Sequence, residues 1–386
     1  MRIPREAGSA VRAAAGAAGV LAATVQDTHA AIVAHHPVLR RLPRPVRLAQ
    51  DVLTTAVYGG VRLGIAALGA GAAAVVERAP RTRENRPFSG SARGRRLAGL
   101  VDGAFGNHLD AARYPGLAGP MTIRVDGAGI AVDAAALARH HPSATGTIVV
   151  LIHGLIETED WWLPAPDGDD FGARLAADIG ATCVRVRYNS GQPVVRSAAE
   201  LDELLTRLVD GWPVPLQRID LIGHSMGGLV ARVAVARAGS NWHPLVRHLV
   251  CLGTPHRGSP VERAAHGAAA LLARSELTAP VGALLDLRSA GIKDLRHGVG
   301  DDPVPPTVRH RDIAATLSST PTGLLGRSFG DLLVLPSSAL TSAASDRGRA
   351  LGSLGHRDLL HHDSVYDVLR EWLGDGPPDA TSRLPS

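Results

Sequence analysis

The sequence contains 386 residues, of which 45% are hydrophobic and 20% charged, and these proportions are typical of a globular protein. They exclude a mini-protein and a chain that is disordered over its whole length. Only two cysteines occur, Cys183 and Cys251, and there is no Cys-x-x-Cys motif or clustered Cys/His spacing. A disulfide scaffold is therefore excluded, zinc and redox chemistry are not indicated, and we expect neither a metal ion nor an organic cofactor.

The net charge of +5 is unevenly distributed along the chain. Residues 1–96 hold 15 of the 41 basic residues and five of the 36 acidic ones, a net charge of +10, which leaves −5 for the remainder. A basic segment favours an anionic partner, and we expect a membrane surface rather than nucleic acid, because no basic patch interleaved with aromatic side chains accompanies it. In the alternative interpretation, the arginines only solubilise an Ala-rich helical segment.

Residues 1–96, here called the leader, also differ from the rest in composition. Apolar runs at 13–25 and 52–76 flank an Arg/Pro segment, and residues 80–96 have the composition of a linker. Within 52–76 apolar side chains recur every three or four positions, which predicts a helix with one apolar stripe. Arg62 leaves an uncharged stretch shorter than the ~20 residues of a membrane span, so we expect this helix to lie on a surface or to pack in a core. The first run lacks the strongly hydrophobic centre of a secretion signal, so we expect a cytoplasmic or peripherally membrane-associated protein rather than a secreted one.

Residues 97–386 are predicted to form one α/β domain. Two short β-rich runs separated by Gly-Ala-Gly, at 121–126 and 130–133, are typical of an antiparallel hairpin. The run at 147–153, TIVVLIH, is a continuous run dominated by β-branched residues, as in a strand buried on both faces. Helical and strand-like runs then alternate, which indicates a mostly parallel central sheet with helices on both faces. These runs are 169–179, 181–188, 198–209, 218–223, 226–238 and 246–253.

The alternation stops between residues 259 and 325. Ala/Leu-rich stretches at 261–274 and 281–287 predict helices there, which form either a cap or an ordinary packing subdomain. Both cysteines fall in predicted strands and are interpreted as buried, unreactive thiols.

The most informative motif is GHSMGG at residues 223–228, which fits Gly-x-Ser-x-Gly. It falls between a predicted strand and a predicted helix, where the mechanism of a serine nucleophile requires a tight turn. Side chains at Gly223 or Gly227 would collide with the neighbouring strand or helix. The motif therefore predicts Ser225 as a nucleophile above the carboxyl edge of the sheet, with a helix N-terminus behind it.

A second motif, IHGL at residues 152–155, follows the first buried strand. Acyl transfer through a tetrahedral oxyanion needs two backbone N–H donors, one from the residue after the nucleophile and one from the loop after this strand. We therefore assign the oxyanion hole to the N–H groups of Met226 and Leu155. His153 is interpreted as a structural residue that shapes the loop.

Four motifs in order, IHGL, GHSMGG, GTPHRGSP (253–260) and GHRDLL (355–360), resemble those of the alpha/beta-hydrolase superfamily. Within it they are similar to the lipase/esterase branch, which includes bacterial triacylglycerol lipases and GPI inositol deacylase-like proteins. The resemblance covers about residues 120–375 and implies an alpha/beta-hydrolase fold, to which the leader adds a helical appendage. It also implies that the insertion at about 259–325 forms a helical cap.

The resemblance implies a catalytic triad in the order serine, acid, histidine. Asp331 lies in a segment similar to the acid loop of the family, with Leu332 in place of the usual glycine, and His356 matches the family histidine. Histidine suits this role because its reference pKa of about 6.5 lets it accept a proton and return it. Other positions stay open. They are Asp301, Asp302 and Asp312 for the acid, and His361 and His362 for the base.

The sequence therefore predicts a serine hydrolase that cleaves carboxylic esters through an acyl-enzyme. We expect a lipophilic ester, because Trp161 and Trp162 directly follow the oxyanion loop and apolar cap residues would cover them. Two other functions stay open. One is a non-catalytic, membrane-associated protein that binds lipid with the same fold, and the other is an acyltransferase or thioesterase that uses the same triad.

Overall fold

The computed structural model describes residues 3–35, 43–78, 91–106, 119–163, 170–237, 239–275, 289–298, 303–321, 333–341 and 347–374, together with positions 278, 279, 283, 286, 323, 330 and 331. Most of the predicted helix at 281–287 lies outside these residues, and so do Asp301, Asp302 and Leu332.

The leader forms two long helices, α1 (Ile3–His35) and α2 (Arg44–Arg78). The rings of His29 and Tyr58 pack edge to face at 6.0 Å, and Gln26 accepts a hydrogen bond from Arg62. Tyr58 contacts His29, and Arg62, further along α2, contacts Gln26, which comes earlier in α1. The two helices are therefore antiparallel. The second apolar run is thus helical, as its spacing predicts. Among the described residues, no helix combines the length and the hydropathy that crossing a bilayer requires.

The described residues form an eight-stranded sheet at the centre of the α/β domain. Its strands are β1 (Thr122–Val125), β2 (Ala128–Ile130), β3 (Thr147–Ile152), β4 (Thr182–Arg187), β5 (Arg218–His224), β6 (Val246–Leu252), β7 (Arg309–Thr316) and β8 (Gly348–Gly352). Their order in the sheet is β2-β1-β4-β3-β5-β6-β7-β8. β1 is antiparallel to both of its neighbours, and all other neighbouring strands are parallel. The predicted mostly parallel sheet is confirmed. The predicted antiparallel hairpin is also present, but its second strand is Ala128–Ile130 rather than 130–133, because the chain turns at Asp126 and Gly127.

Helices cover both faces of this sheet. The described α-helices that follow α2 are α3 (Ala92–Phe105), α4 (Ala134–His140), α5 (Phe171–Ile179), α6 (Val194–Gly211), α7 (Met226–Ala236), α8 (Pro260–Leu272), α9 (Ala290–Asp294), α10 (Pro336–Ala339) and α11 (Asp363–Gly374). In β3, Val150 belongs to a core cluster shared with α6 and α7, whereas Val149 and Leu151 pack in the cluster of α5 and α11. Successive side chains of a strand point to opposite faces, so a continuously apolar strand needs cover on both sides.

Strand β7 corrects the predicted bounds of the cap. Residues 309–316 lie inside the sheet, between β6 and β8, and not in an insertion that extends to residue 325. The prediction missed this strand because its first half, from Arg309 to Asp312, is polar and charged. The insertion between β6 and β7 therefore ends before residue 309, and its described residues include α8 and α9.

Helix α3 packs on the loop that follows β3. A Cβ atom at Gly103 would lie 2.7 Å from the nitrogen of Ile156, so only glycine lets the helix come this close. Arg95 of the same helix forms an ion pair with Asp160 at 2.7 Å. Residues 92–96, which were predicted as linker, are therefore helical and belong to the packing of the α/β domain.

We predict that the α/β domain begins near Ser91. A chain that starts at residue 107 should have a Tm at least about 5 °C lower than a chain that starts at Ser91, because it lacks α3 and the support that this helix gives to the loop after β3. Scanning calorimetry of the two truncated chains measures the difference. Equal Tm values would show that α3 is not part of the folded domain.

Candidate active site

Ser225 occupies the turn between β5 and α7, where the sequence predicts a nucleophile. Its φ of 51° and ψ of −121° are strained for a residue with a side chain. A Cβ atom at Gly223 would collide with the backbone of α7, and one at Gly227 would lie 2.5 Å from the backbone of the loop after β3. The two glycines thus permit the close packing that holds Ser225 in this conformation.

His356 and Asp331 are in direct contact. His356 lies on the loop after β8, and its Nδ1 is 2.6 Å from Oδ2 of Asp331. Asp331 follows β7, and its Oδ1 accepts hydrogen bonds from the N–H groups of Leu333 and Val334 at 3.0 and 2.8 Å. The loop backbone thus holds one carboxylate oxygen, while the other faces the imidazole and orients it.

The residue before the predicted nucleophile contacts the loop of His356. Nε2 of His224 is 3.1 Å from the carbonyl oxygen of His356, and the two rings lie 4.7 Å apart. Because a carbonyl oxygen only accepts, Nε2 of His224 carries the hydrogen in this contact. The structure therefore brings Asp331, His356 and the end of β5 that holds Ser225 together at the carboxyl edge of the sheet.

The two residues predicted to supply the oxyanion hole lie on segments that flank Ser225. Met226 is the first residue of α7, and Leu155 lies in the turn after β3. These segments are close, because a Cβ atom at Gly154 would lie 3.1 Å from the Cβ of Ser225. Next to Gly154, His153 is completely buried, and burial lowers its pKa to about 4. The His153 imidazole is therefore neutral at pH 7, which fits a structural residue of the loop.

Glu157, which the sequence analysis did not select, is a buried acid at the centre of the site. Its Oε2 accepts hydrogen bonds from the N–H of Gly154 at 2.7 Å and from Nδ1 of His224 at 2.9 Å. Both ring nitrogens of His224 thus face oxygen atoms, an arrangement that favours the protonated, positively charged imidazole. Burial is the largest single effect and by itself raises the pKa of Glu157 and lowers that of His224. The opposite charges and the hydrogen bonds together outweigh it, so the pKa of Glu157 is lowered and that of His224 is raised. A buried ion pair thus joins the predicted oxyanion loop to the nucleophile turn.

The two tryptophans predicted to bind substrate occupy different environments. Trp162 is completely buried and packs in the core cluster of α5 and α11, which corrects its prediction as a pocket residue. Trp161 is half-buried. The guanidinium carbon of Arg357, the residue after His356, lies 3.7 Å from the ring centroid of Trp161. Both tryptophans lie on a short 3₁₀ helix (Glu159–Trp162), on which adjacent side chains point in different directions. Adjacency in the sequence therefore does not give Trp161 and Trp162 a common role.

The alternative acid and base positions have other environments. Asp312 lies within β7, where its carboxylate contacts two other histidines. His362 forms hydrogen bonds at the start of α11, and His361 is on the surface. Asp301 and Asp302 lie outside the described residues.

Comparison with known families bears on the fold. Residues 190–271, which include the Ser225 turn, match the family model described as PGAP1-like alpha/beta domain. The match agrees with the mostly parallel sheet and with the strained serine turn between a strand and a helix. The chain has an alpha/beta-hydrolase fold. This confirms, at the level of the fold, the resemblance to alpha/beta hydrolases, and the matched residues include two of the four motifs, GHSMGG and GTPHRGSP.

Several solved structures are similar to this chain at low sequence identity. The mature lipase BlEst2 of Bacillus licheniformis is 19% identical, with 58% of this chain and 91% of that chain covered and a TM-score of 0.43. EstA from Clostridium botulinum is 13% identical, with 60% and 87% covered and a TM-score of 0.40. MGS-M2, an alpha/beta hydrolase enzyme from a Medee basin deep-sea metagenome, is 13% identical, with 61% and 92% covered and a TM-score of 0.37. No protein among the curated sequences matches.

We predict that the ion pair between Glu157 and His224 stabilises the fold most at mildly acidic pH. The pKa of Glu157 is lowered from 4.5, so its contribution is present above pH 4.5 and is lost as the pH falls through the lowered value. The pKa of His224 is raised from 6.5, so its contribution is complete below pH 6.5 and is lost as the pH rises through the raised value. Glu157→Gln should therefore lower the free energy of unfolding by about 3 kcal/mol between these two pH values, and by less outside them.

Urea unfolding of both proteins at a series of pH values tests this prediction. Glu203→Gln, which changes an exposed glutamate of α6, is the control and should leave the free energy of unfolding unchanged within about 0.5 kcal/mol. A destabilisation by Glu157→Gln that does not vary with pH would show that the carboxylate acts only as a hydrogen-bond acceptor.

Proposed function

We propose that this protein is a serine hydrolase of carboxylic esters in which Ser225, His356 and Asp331 form the catalytic triad. The observation that supports it most is the 2.6 Å contact between Nδ1 of His356 and Oδ2 of Asp331, beside the strained turn of Ser225. A carboxylate at Nδ1 keeps a proton on that nitrogen and leaves Nε2 to act as the base. The proposal adds one contact, in which Nε2 of His356 accepts the hydrogen of Ser225 Oγ when substrate binds.

In the proposed reaction, Ser225 Oγ attacks the carbonyl carbon of the ester while His356 takes its proton. The N–H groups of Leu155 and Met226 stabilise the oxyanion, and His356 then gives the proton to the leaving alcohol. A water molecule, deprotonated by His356, attacks the acyl-enzyme and releases the carboxylic acid. Asp331 keeps the imidazole in the required orientation and stabilises its charged form.

We favour a lipophilic ester because apolar side chains are exposed on three loops near the carboxyl edge of the sheet. Ile156 lies in the loop after β3, Leu317 follows β7, and Leu333 lies two residues after Asp331. They are exposed over 38%, 51% and 46% of their surfaces. An acyl chain that covers these side chains removes apolar surface from water on both partners, which favours binding.

Ser225→Ala should lower kcat/KM for p-nitrophenyl esters by at least about 10⁴-fold, because the nucleophile is removed while the backbone of the turn is kept. His356→Ala should have a similar effect. His361→Ala, which changes a surface histidine of the same segment, is the matched control and should keep the activity. The measurement is steady-state hydrolysis across several acyl lengths, with Tm to verify folding. Unchanged turnover by a folded Ser225→Ala protein would reject the triad.

Covalent labelling separates the two other functions from this proposal. A triad that works labels Ser225 with a fluorophosphonate probe, whereas a non-catalytic lipid-binding protein does not react. An acyltransferase or thioesterase also reacts with the probe, but it transfers the acyl group to an added alcohol or prefers a thioester. Product analysis with ester, thioester and alcohol acceptors therefore distinguishes these activities from ester hydrolysis.

We also propose that the leader contacts the surface of an anionic membrane. Leu63 and Leu68 of α2 are exposed over 73% and 77% of their surfaces. Arg62 precedes Leu63, and the leader as a whole has a net charge of +10. Exposed apolar side chains together with basic ones are typical of helices that lie in the interface of an anionic bilayer.

Leu63→Ser combined with Leu68→Ser should weaken binding of the full chain to phosphatidylserine vesicles by about tenfold, because two apolar side chains no longer enter the interface. Leu97→Ser combined with Leu100→Ser, which changes two exposed leucines of α3, is the matched control and should leave binding unchanged. Vesicle co-sedimentation measures the bound fraction. Equal effects of the two pairs, or no binding by the unchanged protein, would contradict the proposal.

A further inference from the structure

A second cluster of chemically reactive side chains lies between the sheet and α7. Cys251, His256, His310 and Asp312 each offer one possible metal ligand, and the four ligand atoms all lie within 4.8 Å of one another. Three of these residues are buried, and His310 is half-buried. The proposed ester hydrolysis uses none of them.

The parallel pairing of β6 and β7 creates this cluster. Cys251 is the register partner of Asp312, so the two adjacent strands direct these side chains to the same face of the sheet. His310 precedes Asp312 by two residues and therefore shares that face. His256 comes from the loop after β6, which turns back over the strand ends through a hydrogen bond between the N–H of Gly258 and the carbonyl of Pro255.

Three of the six distances between the ligand atoms are close to the edges of a coordination tetrahedron. Oδ1 of Asp312 is 3.0 Å from Nε2 of His256 and 3.1 Å from Nε2 of His310, and Sγ of Cys251 is 3.6 Å from the latter nitrogen. The bond lengths of tetrahedral zinc place nitrogen and oxygen ligands about 3.3 Å apart, and sulfur and nitrogen ligands about 3.6 Å apart. The other distances between ligand atoms are at most 4.8 Å, so zinc binding requires these side chains to move closer together.

We infer that Cys251, His256, His310 and Asp312 form a structural zinc site with four protein ligands. Sulfur and imidazole nitrogen together select zinc over magnesium or calcium, which prefer oxygen. Oδ2 of Asp312 accepts a hydrogen bond from the N–H of Thr341 at 2.7 Å, which directs Oδ1 into the cluster. On zinc binding, the Cys251 thiol releases its proton to solvent and the sulfur–zinc bond forms. The thiolate and the carboxylate then balance the two positive charges of the ion.

A metal-free arrangement of the same residues defines the competing interpretation. Nη1 of Arg232 lies 3.3 Å from Nδ1 of His256, and both imidazoles can donate to Oδ1 of Asp312. In that arrangement the cluster is held by hydrogen bonds alone. The two forms differ most at Cys251, whose sulfur binds the ion only in the zinc form, so a test that reports on this sulfur separates them.

Zinc would attach the loop after β6 to both strands of the pair. Gly253 at the start of this loop has a φ of 57°, and a Cβ atom there would lie 3.0 Å from Cε1 of His356. The loop is therefore packed against the imidazole of the proposed triad. Its attachment to the sheet at His256 would keep that packing in place.

Metal analysis of the full chain tests the inference. Protein loaded with zinc and then dialysed against metal-free buffer should retain about one zinc ion per chain, and its Tm should exceed that of chelator-treated protein by about 5 °C. Cys251→Ser and His310→Ala should each reduce retained zinc at least about tenfold. Cys183→Ser, which changes the other cysteine, is the matched control and should retain the ion. No retained zinc in the unchanged protein, or equal retention in all variants, would overturn the inference.

Cobalt substitution identifies the sulfur ligand without a change to any residue of the cluster. The unchanged full chain loaded with cobalt should show a thiolate-to-cobalt charge-transfer band together with the intense visible bands of a tetrahedral site, and Cys183→Ser should show the same spectrum. A spectrum without the thiolate band would overturn the inference even if zinc were retained. Because this readout does not depend on the folding of Cys251→Ser or on ester turnover, a failure of the zinc site is distinguishable from a failure of the proposed hydrolysis.

Discussion

The close approach of three backbone segments around Ser225 is the constraint on which the arrangement of the site depends. The end of β5, the first turn of α7 and the loop after β3 leave no room for a Cβ atom at Gly223 or Gly227. Ser225 is held at their meeting point with a positive φ, a strain of about 1–3 kcal/mol that the surrounding packing must offset. Strands β3, β5 and β6 supply that packing, since nearly all of their side chains are buried. A rigid sheet can therefore present one hydroxyl in a fixed position.

Two buried acid–base pairs connect the loops that surround this turn. Glu157 with His224 joins the loop after β3 to the end of β5, and Asp331 with His356 joins the loops after β7 and β8. Neither pair is isolated, because backbone N–H groups also bind each carboxylate. Buried charges are stable only when their remaining hydrogen-bonding capacity is satisfied in this way. The orientation of the His356 imidazole is consequently determined by the backbone of the acid loop.

Local patterns predicted much of the fold and part of the site. The strands with continuous apolar runs, the first strand of the hairpin and the helix after Ser225 appear where the sequence indicates them. Strand β7 was missed because its polar first half hides the apolar pattern, and the cap was extended through it. Trp162 was assigned to a pocket because it follows the predicted oxyanion loop, but the direction of its side chain depends on a short 3₁₀ helix whose geometry the sequence pattern does not specify.

The sequence by itself determined most of the elements and the position of the serine turn, because glycine, serine and apolar periodicity act over a few neighbouring residues. Only the tertiary structure decided which distant side chains meet. Glu157 and His224 are 67 positions apart, and Cys251 and His310 are 59 positions apart. Such contacts follow from the register of parallel strands and the path of the loops between them. The spacing of residues within a single segment predicts neither the register nor the loop path.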